Sequence, residues 1–269
     1  MPYYVTEDHC KLYYEECGPK DGKNVVFIHG GGCNRHFYKR NIPALAEKFH
    51  VLSYDQRLHG DSDKVDHGTN FPRMAQDLNE LLQYLGMKNV TLIGHSMGVN
   101  VIWQYIKDHG CENISGVVVY EMSPKMVTDS EWKLGFGDAS AVLDYYRMQG
   151  GHWDDIGFYW SAVSMFGEGE TSEEDVQWTI EQMKSSGCPL GVYIQCCNSD
   201  YRDIVPKMTC PVLVTYGTRK SLYEPEVSQW IAEHTGGPSR LESFDGGHLC
   251  CYQDYQNWNR AVIDFIKHE

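Results

Sequence analysis

The feature that most constrains this chain is a tight turn between a short apolar run and a predicted helix. Residues 90–93 form the run, Gly94-His95-Ser96-Met97-Gly98 forms the turn, and a helix is predicted at 97–108. Such a strand-to-helix turn holds its serine in a strained conformation, and glycines on either side let other backbone approach closely. The turn therefore predicts that the Ser96 hydroxyl points out from the carboxyl edge of a sheet, where the sites of α/β proteins lie.

Short apolar runs alternate with helical patterns along most of the chain. After a strand pair at 3–6 and 12–16, buried strands are predicted at 25–28, 51–54, 90–93, 117–120, 212–216 and 241–244. Helices are predicted at 36–49, 72–85, 97–108 and 252–267. This alternation is typical of an α/β fold with a mostly parallel sheet that is covered by helices on both faces.

One segment interrupts the alternation. Between Pro124 and about Val205 there is no buried strand pattern, but there are helical patterns such as 171–185. We therefore predict an α/β core at 1–123 and 206–269 with an inserted helical cap at 124–205, although these helices could instead simply cover the sheet. The run Phe158-Tyr159-Trp160 in this segment could line an apolar pocket.

A glycine-rich loop follows the first buried strand. His29-Gly30-Gly31-Gly32 could bring backbone N–H donors to the oxygen on which negative charge develops in acyl transfer. We assign one donor to the Gly31 N–H and a second to the Met97 N–H. His29 itself is expected to pack in the loop.

The candidate general base is His248, in Asp245-Gly246-Gly247-His248 between the last predicted strand and the closing helix. A histidine on a loop at the carboxyl end of a strand can reach the serine hydroxyl. It could accept the serine proton and return it to the leaving group.

These three segments together resemble the α/β-hydrolase superfamily, in particular its capped esterases, its non-haem haloperoxidase-like hydrolases and its haloalkane dehalogenase group. The loop Asp55-Gln56-Arg57-Leu58-His59-Gly60-Asp61-Ser62 is similar to the family pattern D-x-R-G-x-G-x-S, with Leu58 in place of the first glycine. The resemblance covers nearly the whole chain outside the cap. It implies an eight-stranded, mostly parallel sheet, with no metal and no organic cofactor.

The resemblance also implies a carboxylate that orients the histidine, but the usual position for it is altered. The loop that in the family reads roughly G-x-x-D is here Gly217-Thr218-Arg219-Lys220, and a lysine cation cannot take this role. Some relatives carry a glutamate at the end of the strand after the nucleophile's helix, where this chain has Glu121. We predict Glu121 as the acid, keep Glu224 as the alternative, and expect Asp245 to serve in a turn.

Ser96, His248 and Glu121 together predict a serine hydrolase that cleaves a small carboxylic ester or lactone, apolar or aromatic, through an acyl-enzyme. Dehalogenation would need a carboxylate nucleophile, which Ser96 is not. A carbon–carbon bond hydrolase is compatible with the same residues. A small-molecule receptor with little turnover is the alternative from a different class.

Composition restricts the partners. The net charge of −14 disfavours nucleic acid and anionic membranes, and no apolar run approaches the roughly 18 residues that span a bilayer. The ten cysteines show no zinc-site spacing, and we interpret them as reduced thiols. With no secretory signal visible at the start, we expect a cytoplasmic monomer or homodimer that binds a small-molecule substrate.

Overall fold

The computed structural model describes residues 2–142, 144, 155–185, 190–220 and 222–269. Its eight strands form one sheet in the order β1-β2-β4-β3-β5-β6-β7-β8. The strands are β1 (Tyr3–Val5), β2 (Lys11–Cys17), β3 (Asn24–Ile28), β4 (His50–Tyr54), β5 (Val90–His95), β6 (Ile114–Tyr120), β7 (Val212–Gly217) and β8 (Ser239–Phe244). The predicted α/β class and the eight-stranded sheet are therefore confirmed.

The direction of the strands gathers several loops at one edge of the sheet. β1 and β2 pair antiparallel, β2 joins β4 antiparallel, and every pairing from β4 to β8 is parallel. In register, Ile28 lies beside Gly94, and His95 lies beside Tyr120. The loops that follow β3, β5, β6, β7 and β8 consequently meet at the carboxyl edge.

Nine α-helices lie among the described residues. They are α1 (Ile42–Ala46), α2 (Phe71–Leu85), α3 (Met97–His109), α4 (Asp155–Phe166), α5 (Glu173–Ser185), α6 (Leu190–Asn198), α7 (Pro225–His234), α8 (Cys250–Gln253) and α9 (Tyr255–His268). The predicted closing helix is divided at Asp254, between α8 and α9. None of the helices in these ranges is long and apolar enough to cross a membrane.

Two apolar clusters cover the two faces of the sheet. Along β3, Val26 and Ile28 pack into the cluster that contains α2 and α3, whereas Val25 and Phe27 pack into the cluster that contains α9. Alternate residues of a strand point to opposite faces, so a fully apolar strand requires a core on each side. This explains why the central strands have near-continuous apolar sequences.

The predicted helix at 36–49 is wrong in its extent. The structure has a 3₁₀ turn at Arg35–Tyr38 and then the short α1, with Pro43 in the first turn of α1. A proline inside a helix has no N–H to donate and clashes with the preceding turn, but it suits a helix start. Pro43 thus divides the segment into two short pieces.

Three helices, α4 to α6, lie in the segment between β6 and β7. The two ends of this segment are adjacent, since the Tyr201 N–H donates to Pro124 O at 2.8 Å and Lys125 forms an isolated antiparallel β-bridge with Asp200. The Leu249 N–H donates to Met165 O at 3.2 Å, so the segment also contacts the loop that carries His248. The division into a core and a cap remains a prediction, and the side chains of Phe158 and Trp160 lie outside the described residues.

Candidate active site

Ser96 occupies a strained turn between β5 and α3. Its φ of 51° and ψ of −123° lie in a region that L-residues rarely adopt. The turn is fixed on both sides, because the Ser96 N–H donates to Tyr120 O at 2.9 Å and the Val99 N–H donates to Ser96 O at 2.8 Å. The side chain is only partly buried, so the hydroxyl remains open to a substrate.

The glycines of the turn are required by close packing. A Cβ on Gly98 would lie 2.2 Å from Ile28 O, at the end of β3. A Cβ on Gly94 would lie 2.7 Å from the Ile102 side chain and 3.0 Å from the Gly98 backbone. Since real Cβ atoms do not approach backbone oxygen this closely, Gly98 lets α3 begin directly against the loop after β3.

That loop contacts the nucleophile turn. A Cβ on Gly30 would lie 3.1 Å from the Ser96 Cβ. Within the glycine loop itself, the Cys33 N–H donates to Gly30 O at 3.3 Å. Met97 is the first residue of α3, so its N–H is one of the four that a helix leaves without an internal acceptor. Gly31 lies on the loop that contacts the turn of Ser96, and Met97 directly follows Ser96 at the start of α3. Their role as oxyanion donors remains a prediction.

His29 holds the glycine loop against β4. The Gln56 N–H donates to His29 Nε2 at 3.0 Å, and the Gln56 side-chain amide donates to His29 O at 2.6 Å. Burial lowers the pKa of His29 to about 4, so the ring is neutral at pH 7. These contacts agree with the packing role expected for His29.

His248 is buried on the loop between β8 and α8, with 1% of its surface exposed. Its backbone carbonyl accepts two hydrogen bonds, from the Tyr120 hydroxyl at 2.6 Å and from His95 Nε2 at 3.0 Å. The hydroxyl of Tyr120 also accepts from the Cys251 N–H at 3.2 Å. These bonds fix the backbone from which the imidazole projects.

Glu121 directly follows β6 and has a positive φ of 53°. Its Oε1 accepts a hydrogen bond from the Gly217 N–H at 2.7 Å, and its Oε2 lies 3.5 Å from His248 Nδ1. The carboxylate is 4% exposed. A distance of 3.5 Å is long for a hydrogen bond, but such bonds commonly shorten when substrate binds. The structure thus brings one carboxylate to the nitrogen of His248 that a triad acid contacts.

The other two carboxylates considered from the sequence have different partners. Glu224 is 65% exposed and lies 3.8 Å from Lys220 Nζ. Asp245 is 68% exposed and accepts two hydrogen bonds of 2.8 Å from Arg219, which lowers its pKa. Both side chains point into solvent, whereas Glu121 is buried against His248.

The sequence analysis missed two residues that position the histidine. Tyr120 and His95 both hold the His248 carbonyl, and the His95 ring lies 4.6 Å from the His248 ring and stacks on Phe37 at 4.5 Å. Burial lowers the pKa of His95 well below its ordinary value, so it is a neutral donor. The available signal was adjacency, because Tyr120 precedes Glu121 and His95 precedes Ser96.

Together these residues place a partly exposed hydroxyl, a buried imidazole and a buried carboxylate at one edge of the sheet. Within the described ranges, no group of three or more His, Cys, Asp or Glu side chains could hold a metal ion. The chemistry that the arrangement can supply is proton transfer and nucleophilic attack by side chains.

Comparison with known proteins gives consistent matches over the full length. A family model described as alpha/beta hydrolase fold matches residues 23–255. Non-heme chloroperoxidase CPO-A1 of Kitasatospora aureofaciens is 25% identical over 99% of both chains. Bifunctional esterase/perhydrolase DCH of Acinetobacter calcoaceticus is 24% identical over 99% of this chain and 100% of its own. The solved structure of the esterase EaEST from Exiguobacterium antarcticum superposes with a TM-score of 0.91 at 25% identity, covering 98% of each chain. The chain therefore belongs to the family of alpha/beta-hydrolase-fold enzymes.

Proposed function

We propose that this protein is a serine hydrolase that cleaves a small carboxylic ester or lactone through an acyl-enzyme. The observation that carries the proposal is the position of Glu121, which is held by the Gly217 N–H on one oxygen and faces His248 Nδ1 with the other. A carboxylate fixed at Nδ1 keeps the proton on that nitrogen and leaves Nε2 free to act as a base.

In the first half of the reaction, Ser96 Oγ attacks the ester carbonyl carbon while His248 Nε2 takes the hydroxyl proton. The Gly31 and Met97 N–H groups stabilise the oxyanion that forms. Glu121 stabilises the imidazolium, which then gives its proton to the departing alcohol as the carbon–oxygen bond breaks. In the second half, His248 removes a proton from water, the hydroxide attacks the acyl-enzyme, and the acid is released with Ser96 restored.

The class of substrate is supported by the aromatic surroundings of the histidine. Tyr223 lies with its ring 6.2 Å from that of His248, and Phe136 lies 6.5 Å from Tyr223. Both side chains are only partly buried. Apolar and aromatic side chains with few polar groups are typical of sites for small apolar ligands. They favour a short apolar or aromatic acyl or alcohol group.

Hydrogen peroxide can replace water as the second nucleophile, which would release a peracid instead of an acid. This second reaction is supported by two of the relatives, whose names are those of a non-heme chloroperoxidase and an esterase/perhydrolase. It uses the same acyl-enzyme and requires no further group.

Steady-state hydrolysis of p-nitrophenyl esters from acetate to octanoate tests the proposal, with wild type compared with Ser96→Ala. We expect sustained turnover that falls by several orders of magnitude in Ser96→Ala, because removal of a triad nucleophile has cost on the order of 10⁶ in kcat elsewhere. A single burst of product followed by silence would instead favour a small-molecule receptor. Turnover that survives in Ser96→Ala would refute the proposal.

A further inference from the structure

The loop that carries His248 covers the carboxyl end of helix α4. The last four carbonyls of a helix have no partner within the helix, so they need donors from elsewhere. Met165 O accepts a hydrogen bond from the Leu249 N–H at 3.2 Å, and Phe166 O accepts one from the Gln253 side-chain amide at 3.1 Å. Two of these four carbonyls are therefore satisfied by residues that follow His248.

Gln253 bonds to both sides of this contact. Its Oε1 accepts a hydrogen bond from the Gly247 N–H at 2.9 Å, while its Nε2 donates to Phe166 O. One neighbour is a donor and the other is an acceptor, so a neutral amide in one orientation matches both. The two backbones also touch directly, because a Cβ on Gly247 would lie 2.6 Å from Phe166 O. Gln253 thus ties the residue before His248 to the end of α4.

The same loop packs against the residue that holds Glu121. A Cβ on Gly217 would lie 2.3 Å from Gly247 O, so these two backbones are also in direct contact. The N–H of Gly217 donates to Glu121 Oε1 at 2.7 Å. A shift of Gly247 therefore changes how the two loops pack, and with it the 3.5 Å distance between Glu121 Oε2 and His248 Nδ1.

We propose that Gln253 is a positioning residue, which keeps the His248 imidazole aligned between Glu121 and Ser96. The inference rests on the proposed function, in which His248 is the base. Gln253 acts through the Gly247 backbone. Without its amide, Gly247 loses this link to α4, and the imidazole samples positions in which proton transfer is slower. A misplacement of about 1 Å can cost about 10² in rate.

Gln253→Met is the first test, since methionine has a similar length but neither donates nor accepts a strong hydrogen bond. We expect kcat for the best p-nitrophenyl ester to fall about 10–100-fold while KM stays within twofold. A side chain that only stabilised the fold would leave the kcat of the folded enzyme unchanged. Gln256→Met is the matched control, because Gln256 is exposed on α9, and it should behave as wild type. Melting curves show whether both variants fold.

The imidazole itself gives a second readout that does not depend on turnover. A proton on His248 Nδ1 that is shared with the Glu121 carboxylate gives a downfield signal in proton NMR. We expect this signal in wild type and in Gln256→Met, and an upfield shift with broadening in Gln253→Met. The signal is assigned by its absence in His248→Gln. Hydrogen exchange at the Gly247 N–H should also be on the order of tenfold faster in Gln253→Met.

The two readouts distinguish failure of this inference from failure of the proposed function. A wild-type chain that hydrolyses no ester would refute the proposed function alone, and the NMR signal would still decide the role of Gln253. An unshifted signal in folded Gln253→Met would overturn that role, as would a kcat within twofold of an active wild type or an equal loss in Gln256→Met. If Gln253→Met does not fold, Gln253→Glu replaces it with the same expected results, because it keeps an acceptor for Gly247 but places an oxygen against Phe166 O.

Discussion

Replacing Glu121 with glutamine tests the least expected residue of the site. The Gly217 N–H requires an acceptor at 2.7 Å, so the amide oxygen of the glutamine will face Gly217 and its NH₂ will face His248 Nδ1. An amide donor at Nδ1 forces the ring proton onto Nε2. In that tautomer the Nε2 of the imidazole cannot accept a proton from Ser96. The substitution also removes the carboxylate charge of Glu121, which stabilises the imidazolium cation.

The magnitude follows from this tautomer argument. The same carboxylate-to-amide change in the serine protease triad lowers kcat by about 10⁴, with the geometry intact. The 3.5 Å separation here indicates a weaker coupling, so we expect a decrease of about 10³–10⁴ in kcat, which is a loss of about 4–5.5 kcal/mol in transition-state stabilisation.

The assay is hydrolysis of the best p-nitrophenyl ester, with kcat and KM measured separately at pH 7–8. Glu224→Gln is the matched control, because the exposed pair between Glu224 and Lys220 contributes little and its loss should leave kcat within twofold. The far-UV spectrum and melting curve show whether both variants fold. If folded Glu121→Gln keeps more than a tenth of the wild-type kcat, the assignment of the acid is refuted.

Three further predictions follow from the contacts around the site. Gly98→Ala places a Cβ 2.2 Å from Ile28 O, so the loop after β3 must move. We expect the unfolding free energy, measured by urea denaturation, to fall by about 2–3 kcal/mol, and we expect the variant to lose most of its activity. Tyr120→Phe removes the 2.6 Å bond to the His248 carbonyl, and kcat should fall about 5–30-fold while KM stays within twofold. Buried neutral histidines should also make stability depend on pH. Their pKa values in the folded chain lie below the ordinary 6.5, so the unfolded chain binds more protons as the pH falls. The unfolding free energy, measured by urea titration, should therefore drop by about 3 kcal/mol from pH 6.5 to pH 5.5. These histidines are His29, His59 and His95.

Matched variants separate the proposed causes of these three effects from general destabilisation. For Gly98→Ala the control is Gly86→Ala, whose added Cβ has nothing within 4 Å, so the unfolding free energy should fall only by the strain of the positive φ, about 1 kcal/mol. If Gly98→Ala loses no more stability than Gly86→Ala, close packing is not the cause. Unchanged kcat in Tyr120→Phe would remove its positioning role. His59→Gln should reduce the pH dependence by about a third, and stability that is constant from pH 6.5 to 5.5 would show that these rings are protonated without cost.

Much of the fold could be predicted because its signals are local. A strand, a glycine-flanked turn and a helix occupy consecutive residues around Ser96, and the run of apolar residues before Glu121 marks a buried strand. Parallel pairing then brings the strand ends together without further information. The position of Ser96 and His248 at one edge follows from these rules.

The remaining features depend on contacts between distant residues. The carbonyl of His248 accepts hydrogen bonds from Tyr120 and His95, which lie 128 and 153 positions away in the sequence. No periodic pattern in the sequence predicts hydrogen bonds between residues so far apart. The break of the predicted helix 36–49 at Pro43 shows the opposite case. There the local signal is present in the sequence, because a proline in the middle of the predicted helix suits only a helix start, and the short α1 begins beside it.

Active-site labelling tests the central claim, that Ser96 is a nucleophile activated by His248, most directly. A fluorophosphonate loses fluoride to an activated serine and leaves a stable phosphonate ester, which trypsin should release on residues 89–107, where Ser96 is the single serine. The account predicts stoichiometric labelling of this peptide in wild type, none in Ser96→Ala, and labelling slowed by several orders of magnitude in His248→Ala. A wild-type chain that stays unlabelled, or one labelled equally well in His248→Ala, would contradict it.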